Sequence, residues 1–321
     1  MPKTIPFCYT ESKLDGDEGL SLVDIKEIID KLSQMKVFSI AFGGGEPFSR
    51  KDIFEIAKYA REKGITPTAT TNGFFINSQN AENCQIFNVI HVSVNFLENI
   101  PIEKTSWHQA ITLLKKAKVR VGINFIVSKQ SLPFLEKVCQ YAKSQKIKDV
   151  LFLRLKPKGR GKNFYSQFKL SNEENISLFP LLRKLVKKYK IHPMLDCSFL
   201  PIFYYHRPKR KFLGFFGLDG CVGGNYFVEI DWQGRVRACS FCQGFAGEAK
   251  EIDKIWEDSP HFLSFREWAK NAPLPCRNCE FLENCKGGCH ALTQELTGDF
   301  YQPDPECPFV VEFKRKRDKF L

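Results

Sequence analysis

From residue 21 to about 190, stretches with apolar residues at helical spacing alternate with short apolar or β-branched runs, which is the pattern of parallel βα units in a barrel or doubly wound sheet. Five runs read as strands: Val37 to Phe42, Thr66 to Thr71, Val89 to Asn95, Val119 to Val127 and Val150 to Leu155. They are mostly apolar or β-branched, as strands buried on both faces of a parallel sheet are. Helices are expected at about 21–35, 51–63, 104–117, 131–146 and 171–190, with a shorter one near 78–86. Two of them carry start signals. Ser21 is followed three residues later by Asp24, and Ser171 by Glu174, so each serine can cap the amides of its first turn while the carboxylate reaches back.

After Pro193 the periodicity gives way to short apolar pieces, glycines, prolines and cysteines. A boundary is therefore expected between about 191 and 197, dividing the chain into 1–192 and 193–321. Phe203 to Lys211 mixes aromatics with arginine and lysine and reads as a solvated connector in preference to a basic binding loop.

The 321 residues, 43% hydrophobic and 26% charged, suit one large globular domain plus a small one. No apolar run approaches the roughly 20 residues that cross a bilayer, and the N-terminus lacks the blocks of a secretory signal, so a cytoplasmic protein is expected. The net charge of +12 is spread over several helix faces, such as Arg183, Lys184, Lys187 and Lys188, and over the terminal run Lys314 to Lys319. That spread favours solvated surface over an anionic partner, and nucleic acid is not expected. The twelve cysteines change the picture. In a compartment that keeps thiols reduced they point to metal binding or redox chemistry, and eight of them follow residue 220.

Seven of these run Cys221, then Gly234-x4-Cys239, then Cys276-x2-Cys279-x5-Cys285-x3-Cys289, then Cys307. Thiolates at such spacing select zinc or 4Fe-4S clusters, and seven or eight of them suit two sites. The whole spacing resembles the SPASM domain, which carries two auxiliary 4Fe-4S clusters. The resemblance implies Cys221, Cys239 and Cys289 for one cluster and Cys276, Cys279, Cys285 and Cys307 for the other. The first set then lacks a fourth ligand. Cys197 is favoured for that place, with Cys242, another side chain or an open iron as the alternatives. Cys84 and Cys139 fall in or beside helices and read as small buried apolar residues.

Gly43-Gly44-Gly45-Glu46-Pro47 stands at the end of the first strand, where parallel α/β folds place their ligands. It resembles the motif by which radical SAM enzymes hold the amino group of S-adenosyl-L-methionine (SAM). Thr71-Asn72 after the next strand, Ser93 and Asn95 at the end of the third and Asn124 in the fourth follow in family order. The implied fold is α/β, a partial (β/α)6 TIM-like barrel lacking or truncated at its first strand, with the five visible strands as the second to the sixth. Arg154 would meet the SAM carboxylate. Cys8-Tyr9 fits the third place of the family's C-x3-C-x2-C motif, but Ile5 and Met1 occupy the other two. The sequence either starts at an internal or altered position or belongs to a protein without the third, SAM-binding cluster.

With that cluster complete, the resemblance implies an enzyme that cleaves SAM reductively and modifies a peptide or protein side chain, supplied with electrons by a flavodoxin or ferredoxin. Two other readings stand beside it: an iron-sulfur electron-transfer or scaffold protein, and a zinc-bound nucleic-acid-binding module.

Overall fold

A computed structural model describes residues 19–96, 100–218 and 220–319. Its centre is a six-stranded parallel sheet, curled into a half-barrel, with strands in chain order. These are β1 (Ser39–Phe42), β2 (Thr66–Thr71), β3 (Ile90–Ser93), β4 (Val121–Val127), β5 (Asp149–Arg154) and β6 (His192–Leu195). Sequential order with parallel pairing requires a crossover after each strand. Helices α2 (Ile53–Glu62), α3 (Ser106–Lys116), α4 (Leu135–Ser144) and the long helix Asn172–Tyr189 follow β1, β3, β4 and β5, a short turn Asn83–Ile86 lies between β2 and β3, and α1 (Leu22–Gln34) precedes β1. Both expected capping boxes are present. The Asp24 amide reaches Ser21 Oγ at 3.2 Å, and the Glu174 amide reaches Ser171 Oγ at 3.1 Å.

The sixth strand departs from the five expected, and it lies across the anticipated boundary. It has four residues and includes Pro193, yet it pairs with β5 over Asp149–Phe152. Proline cannot donate to a ladder, so it belongs on an edge strand, and β6 ends the sheet. Its proline hid it from the strand pattern.

Sheet and helices bury one core in which Val92, Ile123, Val150 and Phe152 from the strands meet Ile111, Val138 and Leu182 from the helices. Cys84 and Cys139 are fully buried here, as expected, and burial pushes each thiol up to about 12. Phe203 and Tyr204 also belong to this core, inside the short helix Leu200–Tyr204. The start of the expected connector is therefore structural, because its aromatics are large enough to be drawn out of water.

A second core joins the sheet to the C-terminal part, where Ile126 and Leu155 meet Val236, Phe262, Phe265 and Leu292. That part opens with the antiparallel strands β7 (Glu229–Ile230), β8 (Arg235–Arg237) and β9 (Gly247–Glu248). The turn between β7 and β8 explains the glycine of the Gly-x4-Cys spacing. Gly234 has φ +84°, and its amide donates to the Asp231 carbonyl at 2.9 Å, a left-handed conformation that glycine adopts without strain. No described helix is long and apolar enough to cross a membrane.

Candidate active site and thiol pockets

At the C-terminal edge of the sheet, β1 runs into the exposed Gly43, Gly44 and Gly45. Gly44 has φ +95°, and a Cβ on Gly43 or Gly44 would meet nothing within 4 Å. This leaves a backbone-lined cradle open to a ligand. Glu46 turns inward. Its Oε1 accepts from the Thr71 hydroxyl at 2.8 Å and the Phe48 amide at 3.3 Å, and its Oε2 accepts from the Asn72 amide at 2.8 Å. One carboxylate thereby ties the end of β1 to the end of β2 and fixes the glycine run between them. Burial raises the Glu46 pKa in spite of these hydrogen bonds.

Ser93 and Asn124 are register partners on β3 and β4. Asn124 is buried, with its amide nitrogen 3.4 Å from Thr70 Oγ1, while its Oδ1 has no partner among the described residues. Buried acceptors are normally satisfied, so an orphaned one suits a donor brought by a ligand. SAM carries such donors in its amino group, ribose hydroxyls and adenine amine. The glycine cradle, Glu46, Thr71, Asn72, Ser93 and Asn124 thus fit SAM. Asn95 lies beyond β3, is exposed, and accepts the Trp107 indole N–H at its carbonyl, 3.1 Å away. Cys8, like Met1 and Ile5, lies outside the described residues.

Arg154 is a correction. Instead of awaiting a SAM carboxylate, its guanidinium is buried against the C-terminal part. Nη1 donates to Asp304 Oδ2 at 2.7 Å and the Ser198 carbonyl at 2.6 Å, and Nη2 to Asp304 Oδ1 at 3.1 Å and Glu306 Oε2 at 3.0 Å. Asp304 and Glu306 thus occupy the two terminal nitrogens, while Nε has no partner among the described residues. Asp304, Glu306 and the neighbouring Lys156–Asp196 ion pair went unnoticed in the sequence, where they carry no motif.

The C-terminal thiols gather in two places. Cys276, Cys279, Cys285 and Cys307 line one small cavity together with apolar groups from Pro201, Tyr204, Phe281 and Phe309. Burial pushes Cys276 and Cys307 up to about 12 and raises Cys285 well above its ordinary value. In the second place the Cys197 and Cys221 side chains hydrogen-bond to each other, and Cys239 and Cys289 stand close enough to act on them. Cys221 is pushed well up by that hydrogen bond, then by burial and by the three neighbouring thiols. Cys242 neighbours Cys239, but its Sγ faces the Cys239 carbonyl at 3.0 Å and His261 Nε2 at 3.4 Å.

Thiols buried so deeply become ligands only when a strong cationic centre replaces their protons, and four thiols in each place fit a 4Fe-4S cluster. Among the described residues no group of three or more His, Cys, Asp or Glu side chains is drawn together closely enough to hold a single metal ion. Every described cysteine is a free thiol.

Residues 6–128 match the profile of the Radical SAM superfamily, a stretch that takes in Cys8 and the glycine run. The chain is 25% identical over 336 residues to the AdoMet-dependent heme synthase of Oleidesulfovibrio alaskensis, covering 97% of this chain and 85% of that protein. It is 26% identical over 317 residues to the mycofactocin maturase of Mycobacterium ulcerans, covering 94% and 83%. The crystal structure of Streptococcus suis SuiB bound to precursor peptide SuiA superposes with a TM-score of 0.73 at 18% identity, covering 94% of this chain and 72% of that chain. This last likeness carries the fold alone. The glycine cradle at the end of β1 and its brace to β2 lie within the stretch that matches the Radical SAM superfamily, and the curled parallel sheet agrees with the fold of the solved structure.

Proposed function

We propose that the chain is a SPASM-type radical SAM enzyme that modifies a peptide or a protein side chain, with two auxiliary 4Fe-4S clusters in its C-terminal part. The observation that carries this reading is the gathering of four thiols around one apolar cavity, and of four more nearby, beside a sheet edge that fits SAM. Cys276, Cys279, Cys285 and Cys307 would hold one cluster, and Cys221, Cys239, Cys289 and Cys197 the other. Cys197 takes the fourth place because its thiol bonds Cys221, whereas Cys242 is engaged with His261. Cys8 would be a ligand of the SAM-binding cluster.

When bound, SAM and a reduced cluster supply one-electron chemistry able to break an unactivated C–H bond. The chain's own residues bind and orient. Backbone groups of Gly43, Gly44 and Gly45 receive the amino-acid end of SAM, and Glu46 keeps them in register with Thr71 and Asn72. Asn124 Oδ1 accepts a donor from SAM, with Ser93 beside it. A flavodoxin or ferredoxin would deliver electrons, and a reducing, cytoplasmic setting would keep the thiols available.

The peptide reading draws on the mycofactocin maturase and on SuiB with its bound precursor peptide. The likeness to heme synthases favours a second substrate class, a tetrapyrrole. Neither the zinc module nor the electron-transfer scaffold gains support from these relatives.

Anaerobic reconstitution followed by reduction with SAM tests the proposal. Brown protein with about eight iron atoms, or about twelve with the third cluster, and release of 5′-deoxyadenosine are expected. Colourless protein holding stoichiometric zinc would defeat it. Loss of hydrogen mass from a peptide library would identify the peptide class, and a changed Soret band with added porphyrin would identify the tetrapyrrole class instead.

A further inference from the structure

Helix α3 links β3 to β4, yet its first turn also touches the loop that follows β2. Gly73, buried and at φ +84°, lies flat on that turn. A Cβ there would come within 2.8 Å of the Ser106 carbonyl oxygen and of Ala110 Cβ, and 3.0 Å from Trp107 Cα. Glycine alone permits the approach, because helix backbone cannot swing aside and the left-handed φ itself disfavours a side chain. The Ser106 hydroxyl donates to the Asn72 carbonyl at 3.3 Å, while the Asn72 amide donates to Glu46 Oε2 at 2.8 Å. Asn72 is therefore held from both sides.

The same turn reaches the loop after β3 through Trp107, whose indole N–H donates to the Asn95 carbonyl at 3.1 Å. Trp107 is 6% exposed, and its ring meets Phe96 and Tyr141 edge-on, with centroids 5.6 and 5.2 Å away and interplanar angles of 73° and 87°. Packing of this kind fixes the direction of the N–H before any ligand arrives. His108 Nδ1 stands 2.8 Å from the Tyr141 hydroxyl, which ties the turn to α4.

We propose that the first turn of α3 is the positioning element of the SAM site: Ser106 and Trp107 hold the ends of β2 and β3 at a fixed separation, and Gly73 is bare so that the β2 end can rest against them. The Glu46 brace joins β1 to β2, and this turn extends the brace to β3. The glycine run, Asn72 and Asn95 then form one frame. A ligand that spans several loops needs all of them in register at once, and a misplacement of about 1 Å by a residue remote from the chemistry can cost about a hundredfold in rate. Ser106 and Trp107 are positioning residues that act through Asn72 and Asn95 and touch no substrate. The inference rests on the SAM-site reading given above.

Equilibrium dialysis of SAM against the anaerobically reconstituted full chain, with thermal unfolding alongside, tests it. Gly73→Ala is expected to weaken SAM binding about tenfold or more. Gly64→Ala is its matched control. Gly64 lies two residues before β2 with a nearly equal φ of +79°, but a Cβ there meets nothing within 4 Å. The backbone strain is the same while the ligand-bearing end of β2 stays in place, so SAM affinity holds at the wild-type value. Ser106→Ala weakens binding, and Ser106→Thr, which keeps the hydroxyl, restores it. Trp107→Phe retains a ring against Phe96 and Tyr141 but lacks the N–H, and weakens binding too. If Gly73→Ala does not fold, Trp107→Phe and the two serine variants carry the test. Wild-type affinity in folded Gly73→Ala or in Trp107→Phe, or equal weakening by Gly64→Ala, overturns the inference. The two failures are distinguishable: a wild-type chain that does not bind SAM defeats the SAM-site reading and the inference with it, while a wild type that binds and variants that match it defeat the positioning role alone.

Discussion

Replacing Asp304 with asparagine removes one negative charge from a fully buried position and changes the shape of the side chain hardly at all. The Arg154 guanidinium, 5% exposed, loses its bidentate partner and keeps Glu306 at 3.0 Å and the Ser198 carbonyl at 2.6 Å. Breaking a buried ion pair by removing one partner costs about 3–5 kcal/mol, chiefly because the other charge is stranded. Glu306 still neutralises part of that charge, so the lower end, about 3 kcal/mol, is expected. With a urea slope of about 3 kcal/mol per molar, the unfolding midpoint falls by about 1 M. Urea unfolding of the reduced, metal-free chain followed by far-ultraviolet circular dichroism measures it. The companion Arg154→Met/Asp304→Leu, with both charges gone, should recover to within about 1 kcal/mol of the wild type. A single variant that unfolds at the wild-type midpoint, or a double variant less stable than the single one, would refute the view that this pair locks the C-terminal part to β5.

Three further outcomes follow from the site. Gly43→Ala should leave thermal stability unchanged, because a Cβ there meets nothing within 4 Å, but weaken SAM binding in equilibrium dialysis at least tenfold; unaltered affinity would show that SAM does not occupy the cradle. Burial raises Glu46 in the folded chain above its unfolded value of about 4.3, so between those two values the folded state binds a proton that the unfolded state has released. Its own contribution to unfolding free energy therefore rises as pH falls through its folded pKa and levels off below the unfolded one. The stability difference between wild type and Glu46→Gln, measured by urea unfolding across this range, should increase with acidification, and a decrease would contradict the burial argument. Cys279→Ser/Cys285→Ser should reduce bound iron by about four atoms of about eight while retaining the share held at Cys197, Cys221, Cys239 and Cys289. Iron content equal to wild type would remove the second cluster from its assigned place.

Local chemistry alone settled a large part of this protein. Strands β1 to β5, the helices between them and both capping boxes follow from periodicities and hydrogen bonds that span only a few residues, so they can be read along the chain. The cysteine intervals likewise carry the proposal of a metal-binding C-terminal part, because ligand spacing is itself a local property. Tertiary structure decided the rest. It added β6, where pairing with β5 outweighed a proline that argues against a strand. It drew Phe203 and Tyr204 into the core, and it brought Cys197 from the sheet's far edge to Cys221. Arg154 was read as a SAM ligand from its place at a strand end, but its partner Asp304 is 150 positions away. No periodicity carries information over that distance. A buried guanidinium takes the carboxylate that folding delivers to it, because the cost of stranding either charge away from water exceeds any preference written in its neighbours.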